Sequence, residues 1–390
     1  MDKKSKIINL DSGAGTRLLP ESLEAMLPYL TGEKYFNPSA PYIQALDVQR
    51  DYEDAKNCLA HTIGARGDNL VITSSATEAN NLAFTAINNL TDAEVLISPF
   101  EHPSIREIPV KNKKIIKADL NGIINLQDLK NQITPNTALI SVGIVASDLG
   151  TIQPLSEIAE IVREERQNRL KNNNPMPILL HSDASQGFEV LEVNVARFGV
   201  DLMTLNSGKM HGPKGVGALF VKPASGIKLS PLVFGGGQEK GLKSGTENVA
   251  GAIGFANSAE YLARHRKKHF KNITTFKTNL KNNLKEAFGD KISFVGSEKK
   301  QLVNFLPVVF KGYDAERLIF TLENHGVLAS TGSACAANKG QKSESLQAIG
   351  LTDKEINGSL RLSFSFENTP DQIPQVIEAF KQAVVDSNKN

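Results

Sequence analysis

In Asp201-Leu202-Met203-Thr204-Leu205-Asn206-Ser207-Gly208-Lys209-Met210-His211-Gly212-Pro213-Lys214-Gly215-Val216-Gly217 a short apolar run gives way to Ser-Gly, a lysine and a glycine-rich turn. Lys209 therefore sits where a strand ends. A lysine at its ordinary pKa is protonated and is no nucleophile. One sheltered at a strand end loses its proton more readily and can form a Schiff base. Taken alone, the stretch favours an ordinary solvated lysine. What changes that reading is the company Lys209 keeps along the chain.

At 390 residues the chain exceeds one ordinary core, which predicts a large domain and a smaller one. With 40% hydrophobic and 22% charged residues it reads as globular. Lys and Arg number 44 against 42 Asp and Glu, so nothing in the overall charge suits a polyanion, and no direct nucleic-acid partner is expected. The basic clusters Lys111-Asn112-Lys113-Lys114 and Arg264-His265-Arg266-Lys267-Lys268 read as solvated faces, the first in a loop beside a strand and the second on a helix. No apolar run approaches the ~18 to 20 residues of a membrane span, and the lysine-rich start leads into no signal-peptide core. Two cysteines are too few for a disulfide framework or a cysteine-built zinc site, so the expected compartment is reducing and cytoplasmic and no metal is expected. Cys58 falls on the helix-spaced face of Val48, Tyr52, Ala55, Leu59 and Ile63 and reads as packing. Cys335 lies among small residues with no apolar period and is not core filler.

Outward from the lysine, apolar runs alternate with helical patterns: Leu70-Val71-Ile72, Val95-Leu96-Ile97, Ile115-Ile116, Leu139-Ile140-Ser141-Val142, Ile178-Leu179-Leu180, Leu202-Met203 and Ala218-Leu219-Phe220-Val221. Most lack polar alternation, as strands covered on both faces do. The alternation predicts an α/β domain over residues 15–255 with a mostly parallel seven-stranded sheet. A breaker-poor helix from about Val249 to Phe288 would lead out of it. Residues 1–14 and 256–390 would form a smaller α+β domain, with period-two alternation at Ser359–Phe366 and a last helix announced by the capping box Thr369-Pro370-Asp371-Gln372.

Ligands of open α/β sheets sit outside the carboxyl ends of the strands. Four such ends carry polar groups here: Thr73-Ser74-Ser75-Ala76-Thr77-Glu78 ahead of a helix, a phosphate cradle in form; Glu101-His102; Asp183-Ala184-Ser185-Gln186; and Lys209. Cradle, ring, acid and lysine in that order resemble the fold-type I pyridoxal phosphate enzymes. Thr73 to Ala83, Glu101-His102, Asp183 to Gln186, Lys209 with Gly212-Pro213-Lys214-Gly215, Ser244-Gly245-Thr246, Ser330-Thr331-Gly332-Ser333-Ala334-Cys335 and Ser359 to Ser363 together are similar to the cysteine desulfurases of the class V aminotransferase family. The likeness runs over nearly the whole chain. The Gly-Ser-Ala-Cys element points to the branch that carries its cysteine on a mobile loop.

This resemblance implies pyridoxal 5'-phosphate as cofactor and L-cysteine as substrate. Lys209 would bind the cofactor covalently, Asp183 would hold the pyridinium proton, Gln186 would bond the phenolic oxygen, and His102 would stack on the ring and move protons. Ala76 and Thr77 would take the phosphate with Thr246 of the second subunit of a homodimer. Arg361 would grip the substrate carboxylate, and Cys335 would attack the substrate sulfur, leaving alanine and a persulfide for a sulfur-acceptor protein. The family pattern is broken at Ser147, where asparagine is usual beside the substrate, and at Asn206 and Gly208, which replace the serine and histidine of Ser-Gly-His-Lys around the cofactor. It is broken again at Ser75, a common glycine, and over Asp11 to Thr16, which match the family's Ala-Thr-Thr segment loosely. These departures bear on cofactor affinity and turnover. They keep two alternatives in play: another class V enzyme, a selenocysteine lyase or aminotransferase, and a catalytically weak relative serving as a sulfur-transfer partner. Iron–sulfur cluster assembly, tRNA thiolation, cofactor thiolation and DNA phosphorothioation all draw on this chemistry.

Overall fold

A computed structural model describes residues 7–223, 226–332 and 343–387. The strands in chain order are β1 (Ile8–Asn9), β2 (Leu70–Thr73), β3 (Glu94–Ile97), β4 (Asn112–Ile115), β5 (Thr137–Ser141), β6 (Val145–Ala146), β7 (Thr151–Ile152), β8 (Leu179–Asp183), β9 (Leu202–Asn206), β10 (Gly217–Val221), β11 (Ile292–Phe294), β12 (Phe305–Phe310), β13 (Val327–Leu328), β14 (Ser330–Thr331) and β15 (Ser359–Ser363). The seven strands expected of the large sheet assemble in the order β2-β10-β9-β8-β5-β3-β4.

All neighbours in that sheet are parallel except β10, which runs antiparallel to both β9 and β2. The chain returns from β9 to β10 through the short turn at residues 207–216. A parallel crossover needs a dozen residues or more, so the lysine turn forces the reversal. Successive side chains enter two apolar layers: Val71, Val95, Ile97, Leu139, Leu179, Leu202 and Leu219 pack on one face, and Leu70, Ile72, Leu96, Ile140, Leu180 and Met203 on the other. That double burial is why the runs show no polar alternation.

The basic stretch at 111–114 is a correction to its reading as a loop. Asn112 to Lys114 lie in β4, the edge strand, where Lys114 pairs with Glu94 (3.0 Å) and Lys113 donates to the carbonyls of Arg106 and Ile108 (both 2.5 Å). An edge strand has one neighbour and tolerates charges that no central strand would, so its sequence looks like a loop.

The helix Val249–Phe288 spans 40 residues, about 60 Å at 1.5 Å per residue, and Asn248 caps it by accepting from Gly251 N. Its first turns are buried on most sides. Further on, Ile273, Phe276, Leu280, Leu284 and Phe288 form one buried stripe, so the same helix is core at one end and amphipathic at the other. Beyond it an antiparallel sheet, β11-β12-β15-β14, backs onto the last helix, Ile373–Ser387, which follows the capping box of Thr369 and Gln372. The alternation read at 359–366 is strand only to Ser363, and both of its faces are buried, the polar one against residues 11–13 at the start of the chain. β1 pairs in parallel with β13, Ile8 opposite Val327, which ties that start to the C-terminal half.

Candidate active site

β2, β3, β5, β8 and β9 end at one edge of the sheet, and a cavity of about 260 Å³ opens there, near the roughly 300 Å³ lower end of small-molecule sites. Lys209, His102, Asp183, Gln186, Ala76, Thr77, Ser147, Asn206 and Gly208 all line it. Groups read separately from distant motifs thus meet in one cleft. Arg361 and Thr246 are not among its lining residues, and Cys335 lies outside the described residues.

The cradle is built locally. Ser75 caps the helix Ala76–Phe84 by accepting from Glu78 N (3.1 Å), while Glu78 Oε2 takes Ser74 N (2.6 Å). Ser75, which replaces the usual glycine, therefore has a capping job. Gly217 of β10 lies directly behind this turn: a Cβ there would stand 2.5 Å from the Ser75 carbonyl carbon and 2.8 Å from Ala76 N, closer than any side chain permits. The helix start is pressed against the sheet and presents its free amides to the cavity, as an anion requires.

Lys209 closes a short 3-10 turn, Ser207–Lys209, which Asn206 caps by accepting from Gly208 N (3.0 Å). Asn206, unusual for the family, thus performs a turn-capping role that serine also performs. Thr16 N and Oγ1 donate to Gly208 O (3.0 and 3.2 Å) and its Oγ1 accepts from His211 N (2.8 Å), clamping the turn from the other side.

Asn80, which no reading of the sequence singles out, links the acid and the ring. Its Nδ2 donates to Asp183 Oδ2 (2.8 Å) and to Ser104 Oγ (2.9 Å). Ser104 N in turn donates to His102 Nδ1 (3.1 Å), so the neutral ring carries its hydrogen on Nε2. The one sequence signal for Asn80 is a polar residue one turn after Ala76 on a buried helix face. His102 is exposed to the cleft yet walled by protein, and desolvation, followed by the Lys209 charge, lowers its pKa. Glu101, fully buried beside it, accepts from Gly143 N (2.7 Å). Burial first and the Asp183 charge second raise its pKa well above the carboxylate range. Gln186 faces the cavity while its Nε2 donates to Gly13 O (2.8 Å), leaving one amide hydrogen for a ligand.

Asp183, Lys209, an imidazole face, an amide donor and a helix start around one cleft match the functional groups of pyridoxal phosphate in kind and number, and the close Gly217 packing preserves the phosphate end. The residues fit that group. Among the described residues no set of three His, Cys, Asp or Glu is placed to hold a metal ion, and no helix is long and apolar enough to cross a membrane.

Residues 8–376 match the family model described as Aminotransferase class-V. A curated relative, "Cysteine desulfurase IscS 1" of Archaeoglobus fulgidus, is 34% identical over 376 residues, which is 94% of each chain. Among solved structures a "NIFS-like protein" superposes with a TM-score of 0.87 at 26% identity, covering 97% of this chain and 100% of its own. "SspA in complex with cysteine" superposes at 0.75 with 29% identity, over 92% of this chain and 98% of that one.

Proposed function

Because this chain belongs to the class V aminotransferases, and within them to the cysteine desulfurases, we propose that it takes sulfur from L-cysteine and passes it on through Cys335. The observation that carries the reading is the convergence of Lys209, Asp183, His102 and Gln186 on one cleft closed by the helix start at Ala76 and Thr77. Pyridoxal phosphate, when bound, supplies an electron sink that loosens the bonds at the amino-acid Cα.

The chain's own residues do the rest. Asp183, fixed by Asn80, is the acid for a ring nitrogen, and burial raises the pKa of Glu101 beside it. His102, its Nδ1 engaged by Ser104, points Nε2 as the group able to hold or release a proton in the cleft. Lys209 is the amine for the cofactor aldehyde and a base for the Cα proton. Arg361 is the cation for the substrate carboxylate, and Ser147 leaves more room beside it than asparagine does. The Cys335 thiolate forms a bond to the substrate sulfur as the sulfur–Cβ bond breaks. The electron pair goes to Cβ, which gains a proton, so cysteine and thiol become alanine and persulfide. A persulfide must then meet an acceptor, which makes a sulfur-carrier or scaffold protein the expected partner.

A homodimer is part of the same proposal. Leu23, Leu27 and Leu30 on one helix, Ile43 and Leu46 on the next, and Leu232 to Phe234 all expose large apolar side chains, and Thr246 is exposed outside its own chain's cleft. A second copy would cover the first and receive the second.

The test is the yield of alanine and sulfide from L-cysteine with and without reductant. The parent should make both. Lys209→Ala should lose the cofactor's visible band, and Cys335→Ser should keep the band and release no sulfide above background. Sulfide from Cys335→Ser at the parent's rate would remove Cys335 from the proposal.

A further inference from the structure

Arg361 is 6% exposed, and its charge is already spoken for. Its Nη2 lies 2.9 Å from Asp11 Oδ1 and its Nη1 3.8 Å from Asp148 Oδ1, while its Nε is buried with no hydrogen-bond partner among the described residues. One guanidinium thus faces two carboxylates, a formal surplus of one negative charge in a poorly solvated place. Both acids adjoin the cleft: Asp148 follows Ser147, and Asp11 begins the segment whose Ala14 and Gly15 form part of its wall. Arg361 also stands opposite Ser330 in the β14–β15 register.

A third carboxylate cannot simply be added to this trio. A guanidinium fork binds one carboxylate well, and each further one meets the repulsion of those present. We propose that Asp11 and Asp148 are positioning residues that hold Arg361 before substrate arrives, and that the α-carboxylate of the amino acid exchanges with the Asp11 carboxylate on Nη2. The inference rests on Arg361 being the substrate's carboxylate partner, as in the function proposed above. Its consequence is selectivity. The exchange keeps amino-acid affinity modest, so alanine leaves readily, and the surplus negative charge disfavours a second carboxylate on the ligand.

The exchange also reaches the rest of the site. Asp11 shares a segment with Gly13, whose N donates to Ser363 Oγ (2.8 Å) and whose O accepts from Gln186, and with Thr16, which clamps the Lys209 turn. Releasing Asp11 from Arg361 loosens one end of a segment that touches the groups reserved for cofactor and lysine.

The test compares Asp11→Asn and Asp148→Asn with the parent, each loaded with cofactor, by calorimetric titration with L-alanine and with L-alaninamide, which lacks the carboxylate charge. A neutral competitor holds a guanidinium about half as strongly as a charged one. Asp11→Asn should therefore bind L-alanine about three- to tenfold tighter and L-alaninamide unchanged, with the change in kcat/KM for cysteine carried by KM. Asp148→Asn, at the longer contact, should move the same way by about twofold, and it carries the test if Asp11→Asn fails to fold. Unchanged or weaker alanine binding in both variants, or an equal shift for alanine and alaninamide, overturns the proposal. If the parent makes no alanine from cysteine, it is the desulfurase reading that falls, whatever the titrations show.

Discussion

Replacing Glu189 by glutamine should stabilise this protein, and more so as the pH rises. Glu189 is 6% exposed, and among the described residues its carboxylate accepts one hydrogen bond, from Phe366 N to Oε1 (2.7 Å). His211 Nε2 and His269 Nδ1 each lie 4.0 Å from its oxygens, too far to bond, and neither nitrogen has a hydrogen-bond partner among the described residues. Burial pushes the carboxyl from 4.5 up to about 8 and both imidazoles from 6.5 down to about 4, so all three groups are held neutral. The signs oppose. For Glu189 the folded pKa is the higher one, so its stability contribution is intact below 4.5 and is lost as pH climbs to about 8. For the histidines the folded value is the lower, so stability is present above 6.5 and is lost as pH falls toward 4. Between 6.5 and about 8 the two imidazoles no longer titrate, and at about 1.4 kcal/mol per pH unit Glu189 should cost the parent on the order of 2 kcal/mol across that window, on top of any loss from buried Glu101, whose pKa is also raised. The amide of the Glu189→Gln variant has no proton to lose, keeps an oxygen for Phe366 N and brings an N–H toward His211. The variant should lose about 2 kcal/mol less than the parent over the same window. Urea unfolding at fixed protein concentration, followed by far-ultraviolet circular dichroism because the chain has no tryptophan, reads both curves. Parent and Glu189→Gln curves that run parallel from 6.5 to 8 would refute the reasoning.

The remaining expectations concern the cleft and its support. Gly217→Ala forces a methyl into the Ser75–Ala76 backbone and should weaken cofactor binding at least tenfold, read by titrating the visible band, with a stability loss of about 1 to 3 kcal/mol for overpacking. Gly208→Ala should cost little: the added carbon would sit 3.6 Å from its nearest neighbours, Asn206 Oδ1 and Lys214 Cγ, and cofactor affinity should stay within about threefold. Glu239→Ala should destabilise by about 3 kcal/mol in urea, because it leaves buried Lys56 with only the longer, half-exposed Glu53 contact (3.8 Å) in place of its Glu239 ion pair (3.3 Å), and removes the acceptor of Tyr52 OH (2.6 Å) and Ile72 N (2.8 Å). A change under about 1 kcal/mol there would mean that Glu53 and water take over the Lys56 charge.

Strand ends are where the sequence speaks most clearly. Asp183, Lys209, Glu101-His102 and the Ser75 helix start each follow an apolar run, and a shared sheet direction is enough to bring them to one edge. Groups that meet without such punctuation stay hidden. Glu189, His211 and His269 come from three separate segments with no common spacing, and packing of Phe366 between the two imidazoles, at 4.7 and 4.5 Å, is what gathers them. The acids on Arg361 are equally unreadable, since Asp11 lies 350 positions from its partner. Edge strand β4 reads as a loop because charge, which signals a loop elsewhere, is also what an edge tolerates.

The joining of β1 to β13 sets a timetable for synthesis. On the ribosome the first residues emerge long before Val327, Arg361 and Ser363, so Ile8, Asp11 and Gly13 wait without their partners while the large sheet is already complete. The wall that Ala14 and Gly15 lend to the cleft is therefore fixed last. In a nascent or C-terminally shortened chain the segment from Ile8 to Gly15 is unlatched, so the wall it lends to the cleft is loose and a protease can reach it.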